Sequence, residues 1–519
     1  MLPSTAYGDS RLSLWLRVRM YAVPPSMIEL ATGRRTAGDW AGACAAARID
    51  VDLDLRSVAR AHGREIAARL RADLRALAPD LLRWHMPRVA PDGLLRPGLT
   101  LTLARYERPG RAGPLQLVAR TPPAWADAGQ RISLALWDPA RPETGRHPHP
   151  HPNRRFRLDL HRHLWDARRA GELRARSGAD GPAPPDHDPL GLAPPGLGCA
   201  VDRWAAEARL LLHAEGRPGT PFAVRLGGRR RLVLAVAGGE GGGAREAGGC
   251  RGGAAPAEAE RRYGAEPAEG EHRCGAGPAD GAPGSVRVGV GGHASLVADD
   301  RGAPGLRVVG ELPSGGPSAV PVLPDAATWI PPDLELLRAG LLTPERLHPL
   351  VAAVLAPAHR AEGALRDADP VARARLVECR GATHRIGLVD GVLVPLDHER
   401  DEIRREELLV ALGGPPLPCL RVIDEAHRRP DCLAGVRERL DHGDTDGALA
   451  VVEGLLGPGA VLRAGPLRDE LAAAAERRIA YGLYRAGLLD AGRDSLTRSG
   501  RTTRNRRPTR RQTRTVTFF

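Results

Sequence analysis

Apolar residues recur along this chain with two different periods, and the change of period divides it. Val58, His62, Ile66, Leu70, Leu74 and Leu77 fall three or four apart, while arginines occupy the other faces. That spacing predicts one amphipathic helix ending before Pro79. Upstream, the Ala-rich stretch Ala37–Ala47 predicts a shorter helix with Asp39 as its cap. From residue 99 the period falls to two. Leu99, Leu101 and Leu103 alternate with Thr100 and Thr102, then come Leu115 and Leu117, then Ile132, Leu134 and Leu136, each run bounded by Pro or Gly. The pattern predicts an antiparallel meander with one packed face and one wet face. Phe222, Val224 and Leu226 repeat it before the apolar run Leu232–Ala237, and Val286, Val288, Val290 and Leu306–Val309 resume it.

Beyond Pro331 helical spacing dominates. Leu334–Ala339, Pro344–Leu355 and Asp369–Cys379 predict short helices, and His384–Asp397 predicts a hairpin turning at Asp390-Gly391. Helices near 398–412, 431–441 and 445–456 come next. The last opens at Pro466 and carries Leu467, Leu471, Ala475, Ile479 and Leu483.

The fold class expected is therefore α+β: an antiparallel β-meander domain with flanking helices, then a mainly α-helical C-terminal domain, with several disordered segments. Residues 1–19 read as an extension unlike the rest of the chain, with Met20 or Met27 as alternative starts. Residues 20–237 form the α+β domain, with Pro/His-rich loops at 139–152 and 178–195. A Gly/Ala/Glu-rich insertion at 238–284 has almost nothing to bury and is expected to be disordered. Strands in 285–325 complete the first domain, 331–492 is mainly helical with the hairpin near 384–397, and an Arg/Thr-rich tail occupies 493–519.

Composition changes the picture chiefly through an absence. No lysine occurs, so all 75 basic residues are arginine, the usage of a very GC-rich bacterial gene. A phosphate-gripping P-loop, a protein kinase and a pyridoxal-phosphate enzyme each need a lysine, and arginine cannot lose its proton to become a nucleophile. Those classes are excluded. The seven cysteines are scattered with no C-x-x-C pair, so neither a disulfide framework nor a zinc ribbon is indicated. No signal peptide or membrane-length apolar run is apparent, and a cytoplasmic location is expected. Eight arginines after Asp494 carry most of the +13 charge.

Local motifs are weak. Asp424-Glu425-Ala426-His427, after Val422-Ile423, resembles the acidic strand of a DEAH-type helicase, but the lysine loop is missing. Gly8-Asp9-Ser10 with Asp424 and His427 resembles the serine and base elements of GDS-type lipases, without a leading strand or a usable oxyanion asparagine. His147, His149 and His151 alternate with prolines and are metal candidates, although polyproline geometry would splay them. Asp50, Asp52 and Asp54 alternate but lack the glycine and glutamate of a calcium loop, so acidic charge ahead of a helix is the reading preferred. Cys379, His384, His398, Cys419, His427 and Cys432 could supply a four-ligand zinc site, although their spacings match no known finger. Gly38-Asp39-Trp40 and Gly443-Asp444-Thr445 open Ala-rich helices alike, which is read as shared capping chemistry rather than a tetratricopeptide-type period.

The expectation is a non-enzymatic protein-interaction or regulatory component with a protein partner, no cofactor and no membrane association. The alternative is a nucleic-acid-associated protein binding through tail arginines such as Arg506, Arg507, Arg510 and Arg511, although an inert tail is favoured over a binding arm. A second alternative is a hydrolase or transferase whose site is not recognisable from sequence.

Overall fold

The leucine alternation from residue 99 does build a meander, in the computed structural model that describes residues 4–111, 113–126, 130–141, 147–181, 192, 197–227, 230–236, 305–309, 320–357, 375–389, 392–428, 432–457, 459, 461–488 and 517–518. Helices α1 (Ser4–Tyr21), α2 (Pro25–Thr36) and α3 (Trp40–Ala46) lead to strand β1 (Ile49–Val51). Helices α4 (Leu55–His62), α5 (Arg64–Ala76) and α6 (Pro79–Trp84) follow. Strands β2 (Arg88–Val89), β3 (Leu94–Leu95), β4 (Thr100–Tyr106), β5 (Leu115–Arg120) and β6 (Ile132–Trp137) come next. The order is β1-β6-β5-β4, with β4, β5 and β6 antiparallel and β1 parallel to β6. The helix predicted for 58–77 is two helices, because the chain breaks at Gly63; Asp54 caps the first by accepting from Ser57 N at 2.8 Å.

The wet face predicted for the meander is covered. Thr100 and Thr102 are both buried. Thr100 Oγ1 donates to His149 O (2.7 Å), Thr102 Oγ1 donates to Gln116 Oε1 (2.8 Å), and Thr102 N donates to Phe156 O (3.1 Å). A hydroxyl whose hydrogen bonds are met can be buried; the alternation reports polarity, not exposure.

The next elements are α7 (Leu173–Ser177), α8 (Val201–Ala214), β7 (Phe222–Arg225), β8 (Arg231–Val236), β9 (Leu306–Val308), α9 (Asp325–Thr328), α10 (Pro332–Arg338) and α11 (Pro349–Leu355). The antiparallel sheet β7-β8-β9 closes over α8 around Trp204, Leu212, Phe222 and Leu234. Leu336, Leu342, Leu347 and Val351, which the sequence groups with the C-terminal region, lie in the first core instead, beside Leu14, Trp15 and Val18 of α1. Arg19 pins this arrangement with a bond of 2.5 Å from Nε to Asp333, which also accepts from Trp84 Nε1 at 2.9 Å.

The C-terminal region holds β10 (Arg375–Cys379), β11 (Ala382–Val389), β12 (Val392–Pro395), α12 (Arg400–Ala411), α13 (Pro418–Arg428), α14 (Leu433–Asp441), α15 (Thr445–Leu456), α16 (Pro466–Ala486) and β13 (Thr517–Phe518). The hairpin predicted near 384–397 is present as β11 and β12, with Val389 opposite Val392. The helix predicted for Asp369–Cys379 is corrected: its described part is the strand β10, paired antiparallel to β11 from Arg375↔Ile386 to Cys379↔Ala382. A short run at Leu376 and Val377 fits either period, and the neighbouring hairpin offers it a ladder. Ile386, Ile423, Val436, Leu440, Val452 and Leu467 form the core here. Ile479, predicted to share the buried stripe of α16, is instead 63% exposed, and Tyr481 and Arg485 turn toward β1.

The two Gly-Asp motifs make one turn twice. Gly38 and Gly443 have φ of 81° and 84°, and each following aspartate caps a helix, Asp39 toward Gly42 N (2.8 Å) and Asp444 toward Gly447 N (3.2 Å). A Cβ on Gly42 or Gly447 would collide with the capping carboxylate. An arginine five residues upstream pairs with each cap, Arg34 at 3.2 Å and Arg439 at 2.9 Å. Both turns join consecutive helices, α2 to α3 and α14 to α15. Among the described residues no helix is long and apolar enough to cross a membrane.

Candidate functional site

Two groups of chemistry-bearing side chains converge. The first lines a cavity of about 20 Å³, room for a water molecule, between Trp15, His85, His161, His163, Asp325 and Trp329. A 3-10 turn at Arg162–Leu164 presents the paired histidines, whose rings lie 5.8 Å apart. Burial pushes the His85 imidazole down to about 3 and holds His163 well below its usual range, so both are neutral. His85 Nε2, His163 Nδ1, Trp15 Nε1 and Trp329 Nε1 are buried without a protein partner. The charged neighbours are committed elsewhere: Arg155 to Asp325 at 2.5 Å, Arg19 to Asp333, and Arg176 to Glu207 at 2.6 Å. Burial alone would raise the Glu207 carboxyl, but hydrogen bonds from His161 and Arg176 bring it down to about 2. Neutral imidazoles and indole N–H groups around this space suit an ordered water. Sequence reading missed His85 and His348, the latter 3.0 Å from Asp80 with both side chains buried. A histidine inside an apolar run, as in Trp84-His85-Met86, is the signal that marks such positions.

The second group lies in the C-terminal region. Cys379 ends β10 just before the turn Arg380-Gly381, whose φ values of 54° and 81° are both positive, as a two-residue hairpin turn of mirror type requires. His398 stands before α12, and Cys419 stands in the first turn of α13 behind Pro418. One donor atom from each of Cys379, His398 and Cys419 lies within 4.8 Å of the others. His398 Nδ1 meets Glu402 Oε2 at 3.1 Å, and that hydrogen bond lowers the carboxyl. Burial, reinforced by the Cys379 thiol, pushes the Cys419 thiol up to about 11. The His384 ring lies 4.1 Å from that of His398, centroid to centroid.

Other sequence candidates do not gather. His147 uses both ring nitrogens locally, Nε2 with Thr121 O (2.9 Å) and Nδ1 with His149 N (3.2 Å), while His151 packs 5.9 Å from Trp137. These histidines fasten a loop to the meander. Asp50 meets Arg131 (3.0 Å) and Tyr481, and Asp52 meets Arg485 (2.6 Å), so two of the three aspartates dock α16 rather than wait on a cation. Asp424-Glu425-Ala426-His427 lies inside α13, not on a strand, and Gly8-Asp9-Ser10 lies inside α1, so neither presents a strand-borne motif. Cys432 sits before α14 beside the C-terminal core, apart from the cysteine–histidine group. The His427 side chain, Val286, Val288, Val290, residues 182–191 and 193–195 of the second Pro-rich loop, all of 238–284, and Arg506, Arg507, Arg510 and Arg511 fall outside the described residues. Compared with known protein families, curated proteins and solved structures, the chain matches none.

Proposed function

We propose that the chain is a non-enzymatic protein-interaction or regulatory component acting in the cytoplasm. The observation that carries this reading is α12. Its last turn and the next residue leave Leu408, Leu409, Val410 and Leu412 in solvent, Leu412 at 85%. The helix buries none of its own residues and is tied down from its polar side, Glu402 and Glu406 pairing with Arg380. An amphipathic helix held this way presents its apolar residues to a partner with an apolar groove. Cys44, Cys379 and Cys419 carry no disulfide, which suits a reducing compartment.

The test is affinity capture of the full chain from its native host beside a Leu408→Glu/Leu412→Glu double variant. A stoichiometric protein retained by the first and lost from the second, with unchanged circular dichroism, is expected. Equal capture by both would overturn the assignment to α12. Nucleic acid retained only while 493–519 is present would move the reading to the tail.

A further inference from the structure

We propose that Cys379, Cys419, His398 and His384 form a structural zinc site that clamps the C-terminal sheet to α12 and α13. It goes beyond the interaction reading and does not depend on it. The donors come from four separate pieces of chain: the end of β10, the middle of β11, the residue pair before α12, and the first turn of α13. Register places Cys379 opposite Ala382 and Val377 opposite His384, so cysteine and histidine share one face of the sheet. Both thiols are fully buried beside Leu417, and the His398 side chain is 3% exposed.

Three donors already stand within 4.8 Å of one another. Tetrahedral zinc, with bonds of about 2.3 Å to sulfur and about 2.0 Å to nitrogen, sets donor–donor edges near ~3.5 Å. Closing the group therefore takes about an ångström, a change of side-chain torsion rather than of backbone. The histidines are oriented for it. A metal-bound imidazole commonly anchors its second nitrogen on a carboxylate; His398 Nδ1 is anchored on Glu402, and its Nε2 is buried with no partner. His384 Nδ1 is likewise buried without a partner, its ring tilted 38° to that of His398. A purely apolar role for the thiols leaves both nitrogens unsatisfied, which is costly in a protein interior. Two thiolates with two imidazoles select zinc over hard cations such as magnesium or calcium, and four protein donors leave no open position for catalysis.

The site has a second layer with a consequence. Glu402 receives both His398 and Arg380, the residue after Cys379. One carboxylate thus couples the metal ligands to the helix that exposes Leu408 and Leu412.

Elemental analysis of the full chain purified without added metal should give one zinc per chain. Cobalt exchanged into the wild type should show the visible bands of tetrahedral Co(II) together with a thiolate charge-transfer band. Cys379→Ser and Cys419→Ser should each lose nine-tenths or more of the metal, while Cys432→Ser and His147→Ala keep it. Glu402→Gln should retain full stoichiometry with about 10- to 100-fold weaker affinity in a chelator competition, the usual effect of removing such a partner. If the cysteine variants do not fold, the wild-type cobalt spectrum still decides. Wild-type protein that takes up neither zinc nor cobalt, its two thiols titrating as free or as a disulfide, would overturn the proposal. So would metal that survives both cysteine substitutions.

Discussion

The N-terminal and C-terminal regions use charge in opposite ways. Around the first core many arginines are taken inside, where carboxylates and main-chain carbonyls receive them. Arg19 reaches Asp333 and Trp84 O, Arg108 binds Asp138 through two nitrogens at 2.9 and 2.7 Å, and Arg83 donates to Ala22 O, Gln130 O and His442 O. In the C-terminal sheet and α12 the pairs are at the surface, as with Arg385 and Asp397 or Arg380 and Glu406, while thiols and imidazoles sit inside with nitrogens unmet. Both regions leave buried nitrogens unmet, His85 Nε2 and Arg88 Nε in the first, His384 Nδ1 and His398 Nε2 in the second, but among the described residues only those of the second stand beside two thiols. The first region is thus rich in buried charge, while the second gathers soft donors in its interior.

The largest test of this contrast is Asp333→Ala. It strands the Arg19 guanidinium and Trp84 Nε1 in the core, and breaking one side of a buried pair costs about 3–5 kcal/mol. Chemical unfolding should show the first-core transition moving by that amount. Asp397→Ala, which frees an exposed Arg385, should leave the midpoint where it is. Equal effects from the two would erase the distinction.

How far the sequence reveals each region follows from the range of its interactions. The strands at Thr100–Tyr106, Leu115–Arg120 and Ile132–Trp137 were legible because alternation is a local signal. The caps Asp39 and Asp444 were legible for the same reason. The parallel addition of Ile49–Val51 was not, since it depends on a partner more than eighty residues away, nor was the reach of Arg19 to Asp333. At the cysteine–histidine group the residue types stood out while the choice among them did not. Cys379, His384, His398 and Cys419 converge because a hairpin and two helices fold them together, whereas Cys432 and the His147 loop, equally plausible in one dimension, go elsewhere.

A somewhat smaller effect comes from acid. Burial holds His85 down to about 3 and His442 down to about 4, while the unfolded chain titrates near ~6.5. Below that value the unfolded state binds more protons, so stability falls as pH falls. The contribution is fully present above about pH 6.5 and is lost progressively toward pH 4 for His442 and pH 3 for His85. From pH 6.5 to 4.5 each imidazole should remove about 2 kcal/mol. Asp325 and Glu335, whose carboxyls burial raises, offset part of the loss. Unfolding midpoints measured across that range should show the slope, and His85→Gln should flatten it. His442 lies where the regions meet, its carbonyl on Arg83 and its ring 6.1 Å from Tyr21. Acid should therefore loosen the junction as well as the first core, and a stability profile flat from pH 7 to 4.5 would contradict both assignments.

The smallest effect sharpens the comparison most, because it uses the same turn in two settings. Asp39→Ala removes a cap from an exposed turn whose helper, Arg34, is also exposed. The loss should fall near 1 kcal/mol, the ordinary value of an N-cap (roughly 0.5–2 kcal/mol). Asp444→Ala removes an equivalent cap, but this carboxylate is buried and serves Arg439 at 2.9 Å and Arg48 of the first region at 3.4 Å. Its loss should exceed that of Asp39→Ala by about 1 kcal/mol or more, since a partly buried arginine is left unpaired. The difference should vanish in an Arg48→Met background, where the carboxylate again does little beyond capping. Equal losses from the two aspartates in the native background would mean that the Arg48 contact contributes nothing to the docking of the regions, which would then rest on contacts such as those of α16 and His442.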